Sequence, residues 1–218
     1  MKTILLAKSA GFCYGVRRAV DLAEHAAKDG PNCVMLGPII HNAHVVEDLA
    51  RQGVQRIDSP EELRGGERVI IRSHGEARGV LERLQEKNAQ IINSTCPKVL
   101  RIQKLVQDAE KEGRIPLIIG EIQHPEVLGV AGWCRNPLIF QGPESLKNWL
   151  KADPGHASLP LSVVSQTTCT QKLFEICTEI LKKECTNLKI FDTICDATYK
   201  RQSEAAEIAA KVDAIIVV

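Results

Sequence analysis

The sequence predicts an α/β protein with mostly parallel sheets, built from three pseudo-symmetric αβ modules of which the third is incomplete. Three observations carry this. Short apolar, β-rich runs alternate with amphipathic helical stretches from end to end. A pattern of Cys, base, Gly and His recurs at one fixed offset. No low-complexity tether interrupts the alternation, and the polar stretch Lys151 to His156, with Asp153-Pro154-Gly155, reads as a turn.

In order along the chain, strands are expected at Thr3–Ala7, Cys33–Leu36, Val69–Arg72, Gln90–Ile92, Pro116–Ile119, Leu161–Ser165, Lys189–Phe191 and Ala214–Val218. Each is a brief β-branched or apolar run. Helices are expected at Gly15–Lys28, Ala43–Gln52, Glu76–Glu86, Lys98–Glu112, Gln171–Lys183 and Thr198–Lys211, where apolar residues recur at helical spacing. In such a fold ligands collect at the carboxyl ends of the strands.

The repeat sharpens the picture. Cys13 and Cys96 each follow a strand-like run, open a helix, and are followed five residues later by Arg18 and Arg101. Gly37-Pro38-Ile39-Ile40-His41 and Gly120-Glu121-Ile122-Gln123-His124 share a G-x-I-x-H pattern, and both the Cys pair and the His pair lie 83 residues apart. Cys195, with Thr198 and Lys200 behind it, opens a third copy. The modules are accordingly expected at residues 14–96, 97–194, and 195–218 together with 1–13. The Cys-to-His offset carried from Cys195 runs past Val218, so the natural chain is expected to continue.

Composition excludes several classes. Among 218 residues, 28 Lys+Arg face 27 Asp+Glu, a net charge of +1, so no single-sign field is present to attract nucleic acid or an anionic membrane. The longest apolar runs fall far below the roughly 20 residues a membrane span needs, and Lys8 breaks the N-terminal run that a signal peptide would require. The expectation is a cytoplasmic protein with no nucleic-acid or membrane partner. Its eight cysteines are then thiols or ligands rather than disulfides.

Three strand-terminal cysteines at equivalent repeat positions, Cys13, Cys96 and Cys195, converge if the modules surround a pseudo-axis. No C-x2-C pair supports a zinc ribbon. Thiolates spread over three modules suit an iron-sulfur cluster with one iron left open. The competing reading makes them small buried hydrophobes, which is the reading adopted for Cys33, Cys134, Cys169, Cys177 and Cys185. His41, His74 and His124 follow strand-like runs and should face the same mouth, forming an anion pocket with loop amides and helix N-termini. His25, His44 and His156 read as surface or satisfied core residues. Glu126 either delivers protons in that pocket or is a first-turn carboxylate favoured by the helix dipole. Gln166-Thr167-Thr168 offers hydroxyls at the corresponding edge, with helix capping as the alternative.

Seven ordered motifs, Gly11-Phe12-Cys13-Tyr14-Gly15-Val16, Gly37-Pro38-Ile39-Ile40-His41-Asn42, Ser73-His74-Gly75, Ser94-Thr95-Cys96-Pro97, His124-Pro125-Glu126, Gln166-Thr167-Thr168 and Asp192-Thr193-Ile194-Cys195, resemble the IspH/LytB family of 4-hydroxy-3-methylbut-2-enyl diphosphate reductases. The resemblance implies a bacterial-type enzyme of the non-mevalonate isoprenoid pathway with three αβ modules around a 4Fe-4S cluster. It implies that Cys13, Cys96 and Cys195 hold the cluster, whose fourth iron takes the substrate hydroxyl. His41, His74 and His124 would line the diphosphate and substrate pocket with Thr167 and Thr168, Glu126 would donate a proton, and Thr167 would orient the hydroxyl. Ferredoxin or flavodoxin would supply electrons, giving isopentenyl and dimethylallyl diphosphates. The family pattern continues with a Gly-rich turn, a Ser-x-Asn segment and a later Ser that hold diphosphate, so impaired activity is expected of this chain. The alternatives are a non-catalytic iron-sulfur or diphosphate-binding fragment, and a Cys–His phosphate hydrolase.

Overall fold

The computed structural model describes residues 3–217. Helix α1 (Tyr14–Lys28) precedes β1 (Cys33–Leu36), α2 (Ala43–Arg51), β2 (Gln55–Ile57), β3 (Arg68–Ile71), α3 (Arg78–Glu86) and β4 (Gln90–Asn93). The second half runs α4 (Pro97–Lys111), β5 (Ile115–Ile119), α5 (Pro125–Ala131), β6 (Leu138–Phe140), α6 (Pro143–Ala152), β7 (Leu161–Ser165), α7 (Gln171–Glu184), β8 (Leu188–Ile190) and α8 (Asp196–Ala209). Two four-stranded, wholly parallel sheets result, with orders β2-β1-β3-β4 and β6-β5-β7-β8.

The shared order positions the site. In each sheet the chain steps outward from the first strand, returns, and steps outward the other way, so the direction reverses between β1 and β3 and again between β5 and β7. Loops leaving such neighbours part in opposite directions and open a crevice at the strand carboxyl ends. His41, His74, His124 and Thr167 follow those four strands in turn.

Both faces of each sheet are covered, which explains the continuous apolar runs. Met35 and Ile70 face α1 and α2, packing with Ala19, Ala23 and Leu49, while Leu36, Val69 and Ile71 face Leu84 of α3. In the second sheet Ile118 and Val164 pack on α4 and α5, and Leu117, Ile119, Leu161 and Val163 pack under α6 and α7. The 83-residue register extends beyond the sequence motifs: α1 and α4 correspond end to end (14 to 97, 28 to 111), as do β2 and β6 (55 to 138, 57 to 140). Gly37 N–H donates to Ile57 O at 2.8 Å, and Gly120 N–H donates to Phe140 O at 3.0 Å, repeating one contact.

Two expected strands are corrected. Thr3–Ala7 forms no ladder, and neither does 214–217; Val218 lies outside the described residues. Ile4 and Ile216 are 92% and 88% exposed, and a β-prone run without a cross-strand partner or a covering layer has nothing to hold it extended. Two unexpected strands and two unexpected α-helices appear among the described residues. β2 and β6 have three residues each, α5 is apolar without clear periodicity, and α6 begins at the Pro143 helix-start position. Glu76 stands ahead of α3 rather than in it. No helix is long and apolar enough to cross a membrane among the described residues.

Candidate active site between the two sheets

Three imidazoles meet at the crevice. Ring centroids lie 4.5 Å apart for His41 and His74, 5.7 Å for His41 and His124, and 5.5 Å for His74 and His124. Ring nitrogens of all three fall within 4.8 Å of one another, close enough to share either an anion or a metal ion. The His124 tautomer favours the anion. His124 caps α5, and its Nδ1 accepts the Glu126 backbone N–H at 3.1 Å, so a neutral ring carries its proton on Nε2 and presents a donor. Burial, then the neighbouring His41 and His124, then Arg72, hold His74 down to about 3. Burial and His41 likewise lower His124. His74 and His124 are therefore uncharged hydrogen-bonding rings at neutral pH. His74 Nδ1 is buried without a protein partner, a polar position a ligand can satisfy.

Small residues bring these rings together across the two halves. A Cβ on Gly129 would lie 3.1 Å from Gly75 O and 3.5 Å from His74 O, and one on Gly132 would collide with the Ala77 side chain. Only glycine lets α5, headed by His124, seat against the loop that carries His74. That loop turns through Gly75 at φ +75, where a side chain would meet Gln103 Nε2 at 2.6 Å and Thr95 Cγ2 at 2.9 Å. Trp133 Nε1 donates to Glu76 O at 2.9 Å and fastens the same contact.

Glu126 occupies the first turn of α5 and is 3% exposed. Thr167 N–H donates to its Oε1 at 2.6 Å and Thr167 Oγ1 to its Oε2 at 2.5 Å. Burial pushes this carboxyl above the usual range, and the two Thr167 bonds act against that shift. The first-turn position and a proton-handling role are thus compatible. Gln166 Oε1 accepts the Glu121 N–H at 3.0 Å while its Nε2 donates to Thr168 Oγ1 at 2.7 Å. Thr168 and Gln166 line a neighbouring cavity of about 360 Å³ with Gly120 and Cys169.

Cys13, Cys96 and Cys195 stand at the N-caps of α1, α4 and α8, and none caps its helix with its side chain. The starts of α1 and α4 lie against each other. A Cβ on Gly15 would lie 2.5 Å from Cys96 Sγ, and Arg18 donates to Thr95 O at 3.2 Å. Lys98 Nζ lies 3.3 Å from Asp196 Oδ2, joining the starts of α4 and α8. Cys96 N–H donates to Ser73 O and Cys195 N–H to Thr167 O, both at 2.9 Å, so two thiols are tied to the loops that carry His74 and Thr167. Burial, helped by Cys13 and Cys195, raises the Cys96 thiol. Thiols at helix N-termini become thiolates around a cationic centre. This donor set fits an iron-sulfur cluster held by three cysteines, and the side-chain-free space over Gly15 keeps Cys96 unobstructed.

The remaining cysteines are free. Cys33, Cys169, Cys177 and Cys185 are buried in the apolar layers and Cys134 packs beside one. His156 stacks on Trp149 at 4.1 Å and bonds Trp149 O, and His25 bonds Asp21 O. One feature of the site escaped the motif reading. Arg72 Nε pairs with the buried Glu76 Oε1 at 2.6 Å, beside the histidines. Its signal was an i,i+4 opposite-charge pair at a strand end, which resembles an ordinary surface pair.

The family model of the LytB protein matches residues 4–218. The 4-hydroxy-3-methylbut-2-enyl diphosphate reductase of Caldanaerobacter subterraneus subsp. tengcongensis is 40% identical over 99% of this chain and 74% of its own length. That of Clostridioides difficile is 34% identical over 99% of this chain and 76% of its own. A solved structure of (E)-4-hydroxy-3-methyl-but-2-enyl diphosphate reductase, described as the terminal enzyme of the non-mevalonate pathway, superposes with a TM-score of 0.78 at 35% identity, covering 96% of this chain and 74% of that one. The Plasmodium falciparum E-1-hydroxy-2-methyl-but-2-enyl-4-diphosphate reductase gives a TM-score of 0.86 at 27% identity over 93% of this chain and 64% of that one. With the match running nearly end to end and the paired sheets in the same arrangement, the chain belongs to the LytB family.

Proposed function

We propose that this chain reductively removes the hydroxyl of (E)-4-hydroxy-3-methylbut-2-enyl diphosphate, giving isopentenyl and dimethylallyl diphosphates in the last step of the non-mevalonate isoprenoid pathway. The observation that carries the reading is the meeting of three imidazoles, two of them held uncharged by burial, with a buried Glu126–Thr167 pair, beside the loops at Ser73 and Thr167 to which the amides of Cys96 and Cys195 are tied. Cys13, Cys96 and Cys195 hold a 4Fe-4S cluster in this reading, and when bound it supplies single electrons and a Lewis-acidic iron for C–O cleavage. The electrons come from ferredoxin or flavodoxin, and the working compartment is the cytoplasm. Residues 14–96 and 97–194 form two modules, with 195–218 and 1–13 forming part of a third; residues 1, 2 and 218 lie outside the described ones.

The balance is simple. Two electrons and two protons enter, the allylic C–O bond breaks, the oxygen leaves as water, and a new C–H bond forms at either end of the allyl unit. His41, His74 and His124 bind the diphosphate oxygens, with Nε2–H of His124 as a fixed donor. That handle lies remote from the reacting carbon and holds it in place, converting binding energy into orientation. Glu126, whose carboxyl burial raises above the usual range, is the proton source, and Thr167 Oγ1, hydrogen-bonded to it, holds the substrate hydroxyl and relays the proton. Thr168, set by Gln166, borders the pocket.

An anaerobic assay with a reduced one-electron carrier and the hydroxylated diphosphate tests the proposal. Formation of the two five-carbon diphosphates with loss of the hydroxyl is expected, at the impaired rate the sequence leads one to expect of this chain. Release of phosphate without any reductant, or binding without turnover, would contradict it.

A further inference from the structure

The three thiols are not held alike. Cys96 and Cys195 are tied by their own amides to Ser73 and Thr167, on loops that spring from sheet strands. Cys13 has no such tie among the described residues. It follows residues 3–12, which pair with no strand and whose backbone, among the described residues, makes one internal hydrogen bond, Ala10 N–H to Ala7 O at 3.3 Å.

What holds this segment comes from α8, about 195 residues away. The Glu204 carboxylate receives Lys8 N–H at 2.6 Å, Ser9 N–H at 2.7 Å and the Ser9 hydroxyl. Arg201 reaches the same turn from the other side, donating Nε to Ser9 O at 3.2 Å and Nη2 to Gly11 O. The turn therefore offers the N–H groups of Lys8 and Ser9 to a carboxylate and the carbonyls of Ser9 and Gly11 to a guanidinium, each a charge-assisted contact. Gly11, at φ +91, is two residues before Cys13, and Arg201 and Glu204 stand six and nine residues after Cys195.

Resting on the proposed cluster, we infer that Arg201 and Glu204 are positioning residues that clasp residues 8–11 to α8 and so fix Cys13 relative to Cys195. The clasp supplies for Cys13 what the sheet loops supply for the other two thiols. Its loss leaves both apolar sheet cores intact, because α8 buries no side chain among the described residues. Supporting groups outside the ligand set commonly govern how tightly a metal centre is kept.

The test has two arms, both with the 218-residue chain. In the first, protein reconstituted anaerobically with iron and sulfide is challenged with a ferrous chelator. Glu204→Ala and Arg201→Ala should release iron roughly tenfold faster than the parent chain. Arg201→Lys, which retains a donor for the Ser9 carbonyl, should recover part of that loss, and Glu61→Gln, at a remote surface pair, should change nothing. The second arm needs no iron. Metal-free reduced protein is treated with dibromobimane, and the cross-linked peptides are mapped by mass spectrometry. The Cys13–Cys195 product should fall in Glu204→Ala while Cys13–Cys96 persists, with the thermal unfolding midpoint unchanged. Iron release at the parent rate in both alanine variants, an undiminished Cys13–Cys195 cross-link, or absence of that cross-link from the parent chain would overturn the clasp. A parent chain that takes up no iron would instead contradict the proposed function, and the cross-linking arm would still decide the clasp.

Discussion

Glu126 shows how one side chain couples stability to chemistry. Its carboxyl is raised by burial, so folding favours the protonated form; that contribution is complete below the ordinary carboxylate value and is lost as pH rises through the elevated one. Glu126→Gln cannot ionise. Turnover should fall by about 10²–10⁴-fold, while the unfolding midpoint, followed from about pH 5 to about pH 9, should decline less steeply on the alkaline side than in the parent. His74 behaves oppositely. Held down to about 3, it favours folding in its neutral form, so its contribution is complete above the ordinary imidazole value and drains away as pH falls toward that lowered value. His74→Asn should flatten the acid limb of the stability profile and weaken binding of inorganic pyrophosphate, read by calorimetry. Unchanged pyrophosphate binding would remove His74 from the anion pocket.

The starts of α1, α4 and α8 show what a local pattern reveals and what it hides. Cys13, Cys96 and Cys195 could be aligned from sequence because each follows a β-prone run and is trailed by a base five residues later. The contact between Gly15 and Cys96 could not, since a glycine in the first turn of a helix reads as a weak helix former rather than as space reserved for a distant sulfur. Gly15→Ala tests this. Helix propensity alone would favour alanine by about 0.8–1 kcal/mol, yet its Cβ would stand 2.5 Å from Cys96 Sγ. Iron and sulfide content after reconstitution should fall well below that of the parent while circular dichroism stays native; full loading would show that the sulfur moves aside freely. Other elements were illegible for physical reasons. Gln55-Arg56-Ile57 is a polar edge strand, and Leu138-Ile139-Phe140 is three residues long, below what alternation can resolve. In Thr3–Ala7 and 214–217 the reverse held: β-prone composition is present, but the partner that would make it a strand is not among the described residues.

Across the molecule, two sheets of the same strand order turn their direction-reversal points toward each other, and the histidines, Glu126 and Thr167 gather where they face. The 83-residue recurrence paired His41 with His124, while His74, Glu126 and Thr167 stood out only as polar residues in loops that follow strand-like runs. The docking of α5 on the loop at residues 73–77 was not legible, because Gly129 and Gly132 act through what they leave empty. Gly132→Val, which drives a side chain into Ala77, should cost about 1–3 kcal/mol of stability and weaken pyrophosphate binding by separating His74 from His124. An unaltered denaturation curve would mean the two halves are not locked at this point. The central assertion, that three thiols far apart in sequence hold one iron-sulfur centre, is most directly tested by iron and sulfide stoichiometry with electron spin resonance on oxygen-free protein. The parent chain should carry one cluster, and Cys13→Ser, Cys96→Ser and Cys195→Ser should each lose most of the iron and the reduced-state signal; three variants retaining the full iron content and spectrum would contradict the account.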